Sequence, residues 1–156
     1  MRAFRLTRAK YAAFSGRGSL LAGARWHWAG NPMIYCADSR ALAVLETLVH
    51  TRKDQIPSDY VFYEVDLEDI SIERITAERL PGDWREPERS RARDFGSEWM
   101  RSRRSLALLV PSVVIPEEHN LLLNPEHPSF FQLRILGPQR FEFEKTISLR
   151  CSEIAA

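Results

Sequence analysis

Met33-Ile34-Tyr35-Cys36-Ala37-Asp38-Ser39-Arg40-Ala41-Leu42-Ala43-Val44-Leu45-Glu46-Thr47-Leu48-Val49-His50 carries two periodicities back to back. Met33 to Ala37 is short and apolar, and the turn signal Gly30-Asn31-Pro32 introduces it, so it reads as a strand. From Ser39 to about His50, Leu42, Leu45, Leu48 and Val49 recur at helical spacing, with Asp38 or Ser39 placed to cap the N-terminus. Upstream, residues 1–8 read as an opening strand with Phe4 and Leu6 on one face, and the small, glycine-rich residues 15–24 as a loop.

Downstream, residues 60–67 alternate as a strand with Val61, Tyr63, Val65 and Leu67 on one face, and Ile70 to Ile75 can add another. Residues 81–93 are proline-rich and charged, hence a surface loop. Asp94 to about Arg103 reads as a short helix carrying Trp99 and Met100. Leu106 to Ile115 is an apolar run broken by Pro111 and Ser112. Leu121 to Leu123 lead into the turn Asn124-Pro125, and Phe130 to Ile135 and Phe141 to Phe143 look like closing strands. Many strands, two clear helices and no regular βαβ alternation give an α+β class: a single domain over 1–156 with a mixed or antiparallel sheet.

Composition narrows the function. The chain has 156 residues, 44% hydrophobic and 28% charged, and a net charge of +1, which speaks against a general polyanion binder. Cys36 and Cys151 form no metal motif and read as free thiols in a reducing compartment. His27, His50, His119 and His127 show no zinc spacing, so no metal is expected. There is no long apolar run and no signal-peptide pattern, so the expected setting is cytoplasmic, without a membrane.

Four features go beyond core-building. Arg25, in Gly23-Ala24-Arg25-Trp26, can offer a planar fork to phosphate or carboxylate, or simply stack on tryptophan at the surface. Tyr35 can stack on a flat heterocycle, or be a core tyrosine with a satisfied hydroxyl. Glu46 falls at the border of the helix's apolar face, where a carboxylate is paired or used, with His50 one turn on as a candidate partner; otherwise it reaches water. Ser112, beside Pro111, can aim its hydroxyl at a ligand from a bulge, or mark a kinked edge strand. The arginines at 85, 89, 91, 93, 101, 103 and 104 lie among Glu86, Glu88, Asp94 and Glu98, as in a solvated mixed-charge face.

These features resemble, in order along nearly the whole chain, the RES-domain family, named for Arg, Glu and Ser. Phe14-Ser15-Gly16 and Gly23-Ala24-Arg25-Trp26 are similar to its opening loop and G-G-R-W element, and Met33-Ile34-Tyr35 to its V-x-Y strand. Ala41-Leu42-Ala43-Val44-Leu45-Glu46 with Leu48-Val49-His50 resembles its A-L-x-x-L-E-x-x-V-H helix. Gly96 to Met100, Val110-Pro111-Ser112 and Asn124-Pro125-Glu126-His127-Pro128 resemble its G-x-x-W-L, V-P-S and N-P-x-H-P signatures. The chain departs in three places: Ala24 for the second glycine, His27 for the usual asparagine, and Phe141-Glu142-Phe143-Glu144 for the closing F-x-F-D.

The resemblance implies a fold like that of ADP-ribosyltransferases and the toxin half of a bacterial toxin–antitoxin pair. It implies an antitoxin partner with an Xre-like helix-turn-helix domain, DNA contact only through that partner, and room for a homodimer. The implied activity is NAD+ breakdown at the nicotinamide–ribose bond, by hydrolysis or with inorganic phosphate as co-substrate. In that reaction Glu46 would stabilise an oxocarbenium-like transition state and Arg25 would clamp pyrophosphate or incoming phosphate. Tyr35 would stack on nicotinamide, and Ser112 would bond a ribose or phosphate oxygen. Asn124 and His127 would hold a supporting turn, and His27 and His50 are further candidates. Protein ADP-ribosylation, a ribonuclease toxin and a catalytically dead binding module stay open as alternatives, and Ile147 and Ile154 are candidate antitoxin contacts.

Overall fold

The computed structural model describes residues 1–11, 13–51, 56–86 and 91–144. One seven-stranded sheet organises them: β1 (Arg2–Arg8), β2 (Ile34–Ala37), β3 (Tyr60–Asp66), β4 (Ile72–Arg74), β5 (Ala107–Pro111), β6 (His119–Leu123) and β7 (Arg134–Phe141), in the order β4-β5-β6-β2-β1-β3-β7. Only β4 and β5 pair in parallel; the other neighbours are antiparallel. Three helices accompany it, α1 (Arg17–Leu21), α2 (Arg40–His50) and α3 (Ala92–Ser102). The expected α+β class with a mixed sheet and few helices is what the chain adopts.

Both faces of the sheet are covered, which explains the uninterrupted apolar runs of β5 and β6. Leu121 and Leu123 join Ala3, Ile34, Cys36, Val65 and Leu109 in one core, while Leu122 faces the other way with Leu108, Val110, Trp26 and Trp99. On that second face a smaller cluster of Ala37, Leu42, Ala43 and Phe62 lies under α2. The second face is therefore divided between an α3 cluster and an α2 cluster.

Several local expectations are corrected. Residues 17–21 form a short helix inside the expected loop, tied to β2 by the Ser19 hydroxyl, which donates to Met33 O (2.6 Å) and accepts from Met33 N (2.9 Å). The 81–93 segment is not wholly a surface loop. Trp84 is 5% exposed and stacks on Trp26 at 6.0 Å, and α3 begins at Ala92, because a buried indole and an apolar helix start outweigh the surrounding charge. The two expected closing strands are one, β7, preceded by a turn of 3-10 helix at Phe130–Gln132. Pro111 ends a strand that is paired on both sides, so Ser112 sits neither at a bulge nor on an edge; it opens the turn to β6. Cys36 is a buried free thiol; Cys151, Ile147, Ile154, Glu88 and Arg89 lie outside the described residues.

α3 is seated by a glycine. A Cβ on Gly96 would stand 1.9 Å from Trp26 O, so only glycine lets the helix backbone touch the 24–31 loop. Around that contact the Ser97 hydroxyl accepts from Trp28 N (3.0 Å), the Trp28 indole donates to Asp94 (2.7 Å), and Arg93 Nε donates to Ala24 O (3.0 Å). Gly96→Ala must push helix and loop apart. Overpacking of this kind costs about 1–3 kcal/mol, which lowers the melting temperature by roughly 5 °C; a thermal melt equal to wild type would show that the two elements are not in contact.

Candidate active site

Between the α2 and α3 clusters the second face opens into a cavity of about 610 Å³. Its lining includes Arg25, Tyr35, Glu46, His50, Arg93 and Asn120. The volume lies within the range of small-molecule sites, roughly 300–1,000 Å³.

Arg25 stands on a tight turn in which Ala24 N and His27 N exchange hydrogen bonds with each other's carbonyl oxygens (3.0 and 3.4 Å). The backbone is so close there that a Cβ on Gly23 would lie 3.0 Å from His27 O. The turn buries Trp26 and leaves Arg25 beside the cavity, with Nη1 donating to Trp84 O (3.2 Å) and Arg85 O (2.6 Å). Burial lowers the pKa of its guanidinium, and the nearby Glu46 charge opposes that effect.

Tyr35 turns its ring to the cavity and its hydroxyl into the loop. The hydroxyl accepts from Trp26 N (3.3 Å) and meets His27 Nδ1 at 2.7 Å. His27 Nε2 faces the carbonyl oxygens of Ser19 and Ala22, both at 3.2 Å, so Nε2 carries the proton and Nδ1 accepts from Tyr35. Burial pushes the Tyr35 phenol well above its ordinary value.

Glu46 is half-buried on α2, and two donors converge on its Oε1: Ser112 Oγ at 2.9 Å and Asn120 Nδ2 at 2.7 Å. The expected partner His50 lines the same cavity but is not the group that holds the carboxylate. Ser112 is fully buried. Its oxygen accepts from Val114 N (3.0 Å) and Ile115 N (3.1 Å) while its proton goes to Glu46. No part of that hydroxyl is left for the ribose or phosphate oxygen it was expected to bond.

The packing of α2 explains the opening. Ser39 caps it, its hydroxyl accepting from Leu42 N (3.0 Å) and donating to Glu118 (2.5 Å). Leu42 and Ala43 are its buried residues, whereas Leu45 is 37% and Val49 58% exposed. The apolar stripe read from spacing thus covers core only in its first turn; farther on, Glu46, Thr47 and Val49 overlie the cavity.

Sequence reasoning missed three cavity residues. Asn120 follows a histidine at the head of a leucine run, and only the alternation that turns Leu122 to the second face puts Asn120 there too. Arg93 lay hidden in an arginine-rich stretch, of which Arg91, Arg103 and Arg104 are paired with Asp83, Glu126 and Glu73. Arg5, on β1, is half-buried, and desolvation lowers its pKa. It spans the thinnest part of the ladder, where β1 and β2 share one Cα pair, by donating from Nη1 to Tyr35 O (2.7 Å). One of three arginines in a short strand carries no signal of that role. Asn124 and His127 do hold the turn after β6, through Met100 O, Glu126 N and Ser129 N. Among the described residues no three His, Cys, Asp or Glu side chains gather as a metal site, and no helix is long and apolar enough to cross a membrane.

The profile of the RES domain matches residues 2–144. The chain belongs to the RES-domain family. Its relatives include "Toxin Res" of Photorhabdus laumondii, 42% identical over 130 residues, which cover 81% of this chain and 83% of the relative. They also include the "Prs ADP-ribosylating toxin" of a Sphingobium species, 44% identical over 118 residues and 73% of each chain. The toxin–antitoxin complex MbcT–MbcA of M. tuberculosis shares the fold, with a TM-score of 0.71 at 18% identity over 97% of this chain and 88% of that one.

Where RES domains commonly have asparagine, this one has His27, which is 1% exposed. Desolvation lowers its pKa below the ordinary 6.5, with the Ala22 and Ser19 carbonyls pulling the other way. The unfolded chain therefore binds the proton first as pH falls. The stability from neutral His27 is fully present above 6.5 and is lost as pH drops toward and through the folded value. Thermal melts from neutral to mildly acidic pH should fall more steeply for wild type than for His27→Asn; parallel curves would show that His27 titrates normally.

Proposed function

We propose that this RES-domain protein is the toxin of a bacterial toxin–antitoxin pair and breaks the nicotinamide–ribose bond of NAD+ in the cavity beside Glu46. The observation that carries the reading is one oriented carboxylate, Glu46, sharing a cavity with the Arg25 guanidinium. The bond to be broken needs that separation of charge. Nicotinamide in NAD+ is already cationic, so it leaves as a neutral ring, taking the electron pair of the C1′–N bond. The ribosyl cation left behind is stabilised by an adjacent anion, a task that falls to Glu46. Arg25 keeps Nη1 on the Trp84 and Arg85 carbonyls and offers the rest of its fork to the pyrophosphate, or to inorganic phosphate. The Tyr35 ring, locked by its hydroxyl, supplies a flat wall for the nicotinamide. Ser112 positions Glu46. Water then bonds to C1′ and releases one proton to solvent, or an anionic oxygen of inorganic phosphate bonds to C1′ with no proton to lose.

The toxin names of the relatives and the toxin–antitoxin complex of the structural neighbour support an antitoxin partner. To the same proposal belong an Xre-like helix-turn-helix domain in that partner, DNA contact only through it, action in the bacterial cytoplasm, and residues 1–156 working as one RES domain without a metal. A second reading keeps the same bond cleavage but sends ADP-ribose to a protein, and the name of the Sphingobium relative favours it.

Proton NMR of NAD+ with antitoxin-free protein tests both. Free nicotinamide should appear, and Glu46→Gln should slow its release by roughly 10²-fold or more while the protein still folds with a lowered melting temperature, since the glutamine oxygen can still accept from Ser112 and Asn120, more weakly than the carboxylate. Adding inorganic phosphate separates phosphorolysis from hydrolysis. Intact NAD+ in every sample, with labelled ADP-ribose retained on one protein of a cell lysate, would replace NAD+ depletion with protein modification.

A further inference from the structure

We infer that Asn120 is a positioning residue that decides which oxygen of Glu46 meets the ligand. The inference rests on the reading of Glu46 as the anion that faces the ribose, and it follows from the hydrogen bonds around that carboxylate. Both donors act on Oε1: Asn120 Nδ2 at 2.7 Å and Ser112 Oγ at 2.9 Å. Oε2 has no hydrogen-bond partner among the described residues, and the side chain lines the cavity. Oε2 is thus the oxygen presented to a ligand.

The two donors are held by different means. Ser112 is fixed by two turn amides, Val114 N and Ile115 N. Asn120 is fixed by the sheet, since β6 pairs on both sides, with Ala37 of β2 and Val110 of β5 opposite Asn120 itself. A strand locked by two ladders holds a side chain's origin more exactly than a loop does. The segment before Asn120 is in turn fastened to the start of α2. His119 N and Nδ1 both lie against Asp38 Oδ2 (3.0 and 3.3 Å), and Glu118 accepts from the α2 cap Ser39. The distance between the helix that carries Glu46 and the strand that carries Asn120 is therefore set independently of the carboxylate. The Asn120 amide donates to the carboxylate, so its effect falls on the orientation of the anion. With Oε1 occupied twice, the carboxylate cannot swing to offer either oxygen, and its free lone pairs point at one locus. A group that suits that locus is a hydroxyl donor or a developing cation at carbon.

The test pairs kinetics with a spectroscopic signature. Asn120→Ala should fold, keep its KM for NAD+ within about twofold, and lower kcat by roughly 10- to 100-fold, the loss expected when a reacting group is misoriented by about an ångström. Asn120→Asp, which sets a second carboxylate against Oε1, should fall below Asn120→Ala. Independently of turnover, the side-chain amide protons of Asn120 should resonate downfield in ¹⁵N-labelled wild type and move upfield in Glu46→Gln, as the charged acceptor is lost. An unchanged kcat in Asn120→Ala, a fully active Asn120→Asp, or an amide signal indifferent to Glu46→Gln would each overturn the role. If the wild-type protein cleaves no NAD+ at all, the proposed reaction fails, and the amide signal alone decides whether Asn120 orients the carboxylate. If Asn120→Ala does not fold, Asn120→Asp and the amide signal decide.

Discussion

A half-buried carboxylate in the middle of a helix must be satisfied, and in this protein its partners lie on the sheet. Glu46 reaches from α2 to Ser112, just past β5, and to Asn120 on β6. Much else follows from that bridge. α2 has little apolar packing beyond Leu42 and Ala43, so its second half overlies open volume and depends on polar anchoring. The same side chain that anchors the helix is, among the described residues, the one carboxylate lining a cavity with arginines on its border. Anchor and charge reside in one group, and its two hydrogen bonds to a charged acceptor are each of the stronger kind, about 1.5–3 kcal/mol.

The positive side is built by a different device. Arg25 sits on a short turn whose shape is set by backbone bonds, by Trp26 driven into the core, and by α3 pressed onto it at Gly96. The Tyr35–His27 pair locks the same turn from β2. An imidazole with a lowered pKa suits that position because it stays neutral, giving one acceptor to the phenol and one donor to the loop carbonyls. Helix, turn and strand thus converge so that the guanidinium does not collapse onto Glu46: its Nη1 is held by the Trp84 and Arg85 carbonyls.

Much of the fold is legible in the sequence. The strand at Met33 to Ala37 and the helix after it lie where periodicity placed them, as do the strand over residues 60–67 and the helix near Trp99, because each repeats a pattern long enough to exceed local noise. Misreadings fell where a tertiary contact overrode composition. Trp84 pulled a charged loop inward, and the 130–143 segment made one strand where two apolar patches had suggested two. Pro111, read as a sign of an edge or bulge, merely ends an interior strand. Arg25, Tyr35 and Glu46 line one cavity, with Ser112 bonded to it through Glu46, although they are spread over nearly ninety residues of chain.

The order of residues determined by itself the strand at Met33 to Ala37, the capped helix after it and the strand over residues 60–67, since periodicity, capping and turn signals act over a few neighbours. Only the tertiary structure decided that Asn120 and Ser112 share one oxygen of Glu46, that Arg5 spans the gap between β1 and β2, and that the Ser112 hydroxyl is spent on the protein. The physical reason is that hydrogen bonds depend on position to within tenths of an ångström. Partners thirty to more than seventy residues apart in the chain are brought to that distance only by the register of a sheet and the seating of a helix upon it.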